Sequence, residues 1–325
     1  MDGAKARAGG WLAVATTVDA AELDAARLGL DRARPQHSAR RTLHVAQAFW
    51  LTLIAGLFGF ALYSETRWTL ASLHVGALVF FAAAILVRLL AAARLTPVLS
   101  RLAEPPQWPR YTILCPLHRE ANIAADLISA LTRLDYPVQA LQILILTESD
   151  DEDTTAAALA ASAGLRHVEV VVVPAAAPRT KPKALNIGLA RARGKFLVVY
   201  DAEDRPHPQQ LRAALAAFED GGERLACVQA PLVVDNAEAS WIARQFAAEY
   251  AIQFREILPF LADLGLPLPL GGASNHFRTA ALRATGGWDA FNVSEDRANF
   301  ANKLNRFRTR TFHIPFVSHS CASAA

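Results

Sequence analysis

Two apolar runs, Leu43 to Tyr63 and Thr69 to Val87, constrain this chain more than any other feature. Each is long enough, and poor enough in charge, to cross a bilayer as a helix, which takes about 20 predominantly apolar residues. Only Ser64 to Trp68 separates them, a spacing that suits a helical hairpin. Two buried helices of a soluble core are the other reading of the same lengths. Arg32, Arg34, Arg40 and Arg41 precede the first run and Arg88, Arg94 and Arg101 follow the second, whereas the loop between holds Arg67 alone. Cationic flanks stay on the cytoplasmic side, so both termini and everything after the hairpin are expected in the cytoplasm. No apolar core follows the initiating Met directly, so the start does not read as a signal peptide. Heavy Ala, Arg and Leu usage beside a single Met has the look of a bacterial coding bias, which makes a multi-pass protein of the bacterial inner membrane the expectation.

The expected divisions are a cytosolic N-terminal segment, 1–41, two transmembrane helices within 42–93 and a stiff linker, 94–110, set by Pro97, Pro105, Pro106 and Pro109. A catalytic-type domain, 111–296, and a tail, 297–325, follow. Hydrophobic residues make up 53% of the chain and charged residues 19%, which fits a lipid bilayer as one partner. A net charge of +3 over 325 residues is too small to argue for nucleic acid. Cys115, Cys227 and Cys321 are far apart and suggest neither a zinc ribbon nor a disulfide framework.

From Tyr111 the pattern alternates between strand and helix. Short apolar runs at Tyr111–Cys115, Leu141–Thr147, His167–Val173 and Phe196–Tyr200 read as buried strands, with helical periodicity over Asn122–Leu134, Ala156–Ala163 and Ala184–Arg193. Such alternation predicts a Rossmann-like, mostly parallel α/β sheet with helices on both faces. Two of these strands end in acid clusters, Glu148 to Asp153 and Asp201-Ala202-Glu203-Asp204. The carboxyl ends of the strands are where open α/β sheets bind ligands. Asp201 and Glu203, two apart, share a face in an extended chain, and paired oxygen ligands suit a hard divalent cation that keeps positions for water and phosphates. A solvated acidic turn is the plainer reading, and Asp204 could share the metal role. Lys181 and Lys183 lie in the loop before a helix whose N-terminus also favours phosphate, with a solvated basic loop as the plainer reading. Asp151 and Asp153 could instead cap the helix that begins near Thr154.

Four blocks together resemble a family 2 glycosyltransferase of the GT-A fold, of the membrane-embedded, cellulose-synthase-like group. They are Pro116-Leu117-His118-Arg119-Glu120; Lys181-Pro182-Lys183-Ala184-Leu185-Asn186; Asp201-Ala202-Glu203-Asp204; and Gly271-Gly272-Ala273-Ser274-Asn275-His276-Phe277 with Gly286-Gly287-Trp288-Asp289 and Ser294-Glu295-Asp296. The resemblance implies transfer of a sugar, with inversion, from a nucleotide-diphosphate sugar donor to a hydroxyl on a lipid or glycan acceptor. Asp201 and Glu203 resemble the family's metal pair for Mg²⁺ or Mn²⁺, and Glu148, Asp150, Lys181, Lys183 and Asp201 would bind the donor. Asp150 is favoured over Glu148 and Asp151 as the acid facing base and ribose. Asp296 resembles the aspartate assigned as general base, with a helix cap by Ser294 as the local alternative. Gly271-Gly272 would let the backbone approach a ligand. Asn275, His276 and Trp288 would face the acceptor, although His276 and Trp288 could equally be core residues. Ala237 to Leu261 reads as one long helix, either amphipathic on a membrane surface or part of the core. After Asp296 the pattern fades, and no Gln-x-x-Arg-Trp block occurs. That departure suggests C-terminal truncation. The alternative function is a truncated, inactive relative that binds nucleotide or partners without transfer.

Overall fold

The computed structural model describes residues 5–8, 11–93, 102–266, 268–292, 308–311 and 318–320. The chain divides into two compact units, one formed by Ala39–Leu95 and the other by the residues up to Ser38 together with those from Thr96 onward.

The larger unit is built on strands β1 (Lys5–Ala8), β2 (Trp11–Thr17), β3 (Tyr111–Leu117), β4 (Leu141–Glu148), β5 (Val168–Val173), β6 (Phe196–Val199), β7 (Asp204–Arg205), β8 (Leu225–Gln229), β9 (Leu232–Val234), β10 (Asn275–Arg278), β11 (Arg308–Thr311) and β12 (Ser318–Ser320). Nine of these form one sheet in the order β1-β2-β5-β4-β3-β6-β10-β8-β11, and β7-β12-β9 form a second. From β2 to β6 all pairing is parallel, while β10 runs antiparallel to both β6 and β8. The mostly parallel α/β sheet expected from the apolar runs is therefore present.

Residues of β3 alternate between two cores, as the period of two along a strand requires. Tyr111, Ile113, Cys115 and Leu117 face one cluster, with the helices α4 (Ala121–Thr132), α5 (Glu152–Ala161) and α7 (Gln210–Gly221). Leu114 faces the other, with α6 (Lys181–Arg191) and α10 (Thr279–Ala284). Helix α6 lies so close to the sheet that a Cβ on Gly188 would come 2.8 Å from a Leu114 methyl.

The N-terminal residues are part of this unit. β2 pairs in parallel with β5, Ala15 opposite Val170, and α1 (Ala20–Ala33) buries Ala26 and Leu30. Asp19 caps α1 by accepting from the Glu22 amide at 2.8 Å. Arg191 of α6 reaches Glu22 through two donors, both at 2.8 Å.

The long helix expected over Ala237–Leu261 is present as one helical run from Trp241 to Asp263, with a π turn inside it. Ser240 caps α8 (Trp241–Ile252), a π turn follows over Gln253–Ile257, and α9 (Leu258–Asp263) resumes. Pro259 lacks the amide that an α-helix would use there, which accounts for a widened turn at this place.

The smaller unit is a pair of helices, α2 (Val45–Ser64) and α3 (Thr66–Ala92), each long and apolar enough to cross a membrane. No residue of α2 is buried, although its composition is apolar around the whole circumference. The Thr69 hydroxyl donates to the Ala61 carbonyl at 3.0 Å across the turn between them.

Candidate active site

A cavity of about 430 Å³ opens at the carboxyl ends of β3, β4 and β6 and the N-terminus of α6. Its lining includes His118, Glu120, Glu148, Asp150, Arg179, Lys181, Asp201, Glu203 and Gly272. The end of β3 gives His118 and Glu120, β4 gives Glu148 and Asp150, the loop before α6 gives Arg179, and the turn after β6 gives the last carboxylates. Glu148, Asp150, Lys181, Asp201 and Glu203, far apart in sequence, thus share one wall system.

Asp201 and Glu203 both line the cavity, and the Lys181 ammonium stands 2.5 Å from Asp201 Oδ1. Glu120 is pushed up in pKa by burial first, and also by the carboxylates of Glu203 and Asp201. A site whose carboxylates raise Glu120 in this way has negative charge to spare, and hard oxygen donors of that kind fit Mg²⁺ or Mn²⁺. Among the described residues no group of three or more His, Cys, Asp or Glu side chains gathers to hold a metal by itself. A cation resting on Asp201 and Glu203 would therefore need further oxygen ligands from a substrate. Asp204 does not join this pair. It is buried, its Oδ2 accepts from the Asp201 amide at 2.8 Å, and burial with the adjacent Asp201 charge pushes it up to about 8.

Lys183, expected beside Lys181 on the donor, is completely buried and does not line the cavity. Its ammonium lies 3.0 Å from Glu148 and donates to the carbonyls of Pro174 at 3.2 Å and Ala176 at 3.1 Å. Positions two apart on a helix point about 200° from each other, so only one of the two lysines can face the cavity. Glu148 is itself raised by burial, against the lowering effect of Lys183. Asp150 pairs with Arg179 at 2.5 Å. Asp151, rather than Asp153, caps α5: its carboxylate accepts from the amides of Arg119 and Thr154. Burial raises its pKa, and those bonds outweigh burial and hold it below the ordinary value.

The residues expected on the acceptor are placed differently. Asn275, His276 and Trp288 are all buried, and none lines this cavity. The Tyr111 hydroxyl lies 2.7 Å from His276 Nδ1, and Trp288 stacks edge-on against Phe277 with centroids 6.0 Å apart. Antiparallel pairing of β10 between β6 and β8 carries Asn275 and His276 into the middle of the sheet, which is why they are enclosed. Gly271 is likewise small for an internal reason: a Cβ there would meet the Phe254 ring at 3.0 Å. Gly287 has φ +69°, and a Cβ would lie 2.6 Å from Asn186 Oδ1. Asp296 lies outside the described residues. Sequence reasoning gave no role to His118, Glu120 or Arg179. The acid clusters at the ends of two parallel strands were the signal that the end of the adjacent β3 would share their cavity.

The sequence model described as glycosyltransferase like family 2 matches residues 109–322. The chain belongs to that family. Among curated relatives of this family 2 chain is a probable glycosyltransferase, YdaM of Bacillus subtilis, 24% identical over 194 residues, which are 58% of this chain and 45% of the relative. Another is beta-monoglucosyldiacylglycerol synthase of Synechocystis, 24% identical over 202 residues, 62% of this chain and 41% of the relative. The family 2 chain thus spans less than half the length of these two relatives. Its fold is similar to that of the mannosyltransferase PcManGT from Pyrobaculum calidifontis, solved with GDP-Man and Mn²⁺: TM-score 0.55, 20% identity, 72% of this chain and 65% of that one. It is also similar to Staphylococcus aureus TarS 1-349 solved with UDP-GlcNAc, with TM-score 0.50, 13% identity and coverage of 66% and 59%. The expected GT-A fold is thereby established.

Proposed function

We propose that this protein transfers a sugar from a nucleotide-diphosphate donor to an acceptor hydroxyl, with inversion, while anchored in a bacterial inner membrane by α2 and α3. The observation that carries the reading is the shared cavity, in which Lys181 and the N-terminus of α6 stand against Asp201 and Glu203. A diphosphate binds where a helix N-terminus and an ammonium converge. Asp201 and Glu203 would hold Mg²⁺ or Mn²⁺, which when bound supplies charge stabilisation to the departing diphosphate. Lys181 then turns from Asp201 towards the phosphates. Asp150, with Arg179, would face the base and ribose, and Glu148, fixed by Lys183, shapes the wall beneath them. Asp296 would act as general base: the acceptor oxygen bonds to the anomeric carbon, its proton passes to Asp296, and the diphosphate leaves with the electron pair of the broken bond. The name of the Synechocystis relative favours a lipid acceptor over a glycan.

Residues before and after the apolar pair build one sheet, so a pair that crosses the bilayer twice leaves both of its ends, and this site, on one face. The cationic flanks favour the cytoplasm for that face.

The test is release of nucleotide diphosphate by the membrane-reconstituted protein across a panel of nucleotide sugars, with Mg²⁺, Mn²⁺ or chelator. Metal-dependent release that drops about 10²- to 10⁴-fold in Asp296→Asn, with nucleotide binding retained, is the expected result. Metal-independent release would remove the metal role alone, and nucleotide binding without turnover for any donor would remove the transferase reading.

A further inference from the structure

Helix α1 lies outside the residues that the family model matches, yet its contacts converge on the segment that carries the cavity's cations. Residues 174–177, which lead from β5 to Arg179 and Lys181, take little support from the sheet. Side chains answer their backbone groups instead. Lys183 takes the carbonyls of Pro174 and Ala176 from inside, and the Ser149 hydroxyl accepts from the Ala175 amide at 2.9 Å. The carbonyl of Ala177 is taken from outside by α1, where Arg27 Nε donates to it at 2.5 Å. Two residues further on, Arg179 pairs with Asp150.

The same helix also reaches the segment leading towards Asp296. Asn186 of α6 donates to the carbonyls of Ala26 and Trp288, both at 2.9 Å, and accepts from the Trp288 amide. Arg34 donates to the Ala284 carbonyl at 3.2 Å, and the Ser38 hydroxyl to Asp289 at 3.2 Å. Thr180, which precedes Lys181, donates to the Ala290 carbonyl at 2.7 Å. Each bond crosses between segments that are distant in sequence, and together they tie 174–180, α6 and 284–290 to one another and to α1 with the residues that follow it.

We infer that Arg27 is a positioning residue of the donor site: from α1 it holds residues 174–180 in the conformation that presents Arg179 and Lys181 to the cavity. The inference rests on the donor-site reading above. A backbone carbonyl answered by one charged side chain is a small lever, so the effect is a shift in nucleotide affinity rather than loss of fold.

The test uses the full chain in detergent or nanodiscs. UDP and GDP, each with Mn²⁺, are titrated by calorimetry into wild type, Arg27→Ala, Arg27→Lys and, as a control on the same helix, Arg32→Ala. Amide exchange is followed in parallel at 174–180 and in β3 and β4. Arg27→Ala should weaken the bound nucleotide about three- to tenfold and speed exchange at 174–180, leaving β3, β4 and the melting temperature as in wild type. Arg27→Lys should recover part of both effects, and Arg32→Ala should show neither. Wild-type affinity and wild-type exchange in Arg27→Ala would overturn the inference, as would exchange that rises uniformly across the sheet. If wild type binds neither nucleotide, the donor-site reading fails by itself, and local exchange at 174–180 still decides whether Arg27 braces that segment.

Discussion

The Lys183 ammonium has no access to water, so its charge is answered inside the protein by Glu148 and two carbonyls. Replacing it with Met leaves Glu148 largely buried and without its partner. Lys183→Met should therefore cost about 3–5 kcal/mol of stability, read as a lower denaturant midpoint, whereas loss of a surface lysine would scarcely register. His276 makes a second case. Burial holds its pKa at about 3, so the fold keeps it neutral while the unfolded chain gains a proton near pH 6.5. Between those values the unfolded state binds the extra proton. The stability this neutral histidine permits is present above pH 6.5 and falls by about 1.4 kcal/mol per pH unit as acid is added. His276→Gln should flatten that part of the stability–pH curve, and an unchanged slope would show that other groups set it. At this scale the strand-end acids were legible, because a carboxylate after a buried apolar run has few structural uses. The separate fates of Lys181 and Lys183 were not, since both stand in one short motif and only the helix phase divides them. Nor was the enclosure of His276, which depends on β10 lying between β6 and β8.

Among elements, the parallel strands could be read because each is a continuous apolar run between turn residues, and a strand covered on both faces needs that composition. The N-terminal strand and α1 could not be read in the same way. Residues 1–41 look like a small polar segment, and the partner that makes β2 a strand lies beyond both apolar helices. An amphipathic segment around Val18 to Leu30 was visible; the surface it packs on was not. If α1 belongs to the core of the larger unit, Leu30→Ala should destabilise that unit by about 2–5 kcal/mol, as truncation of a buried leucine does elsewhere. A thermal or denaturant midpoint equal to wild type would return α1 to the status of an appendage. The long helix over α8 and α9 was legible, but the π turn inside it was not: hydrophobic periodicity carries through it, and Pro259 was the one local sign.

In the molecule as a whole, the two apolar helices interrupt the sequence of a domain without interrupting its sheet. With β2 supplied from one side of the interruption and β3 to β6 from the other, an insertion that spans a bilayer must cross it an even number of times. If the pair spans the bilayer as proposed, single cysteines introduced at the exposed Gln36 and Glu104 should resist an impermeant thiol reagent until the cells are opened, while one at Glu65, in the turn between α2 and α3, should label in intact cells. Labelling of positions 36 and 104 from opposite sides would contradict the paired strands. The parallel contact between Ala15 and Val170 also has a consequence for how the protein is made. A ribosome adds about 5–20 residues per second, so β2 emerges on the order of ten seconds before its partner. On the proposed membrane reading, both apolar helices would be inserted during that interval, while the edge of the early strand that β5 later pairs stays unmatched. The sheet of the larger unit therefore closes only after the chain on both sides of the apolar pair has been made, so β2 is made ahead of that pair and joined to β5 only after it.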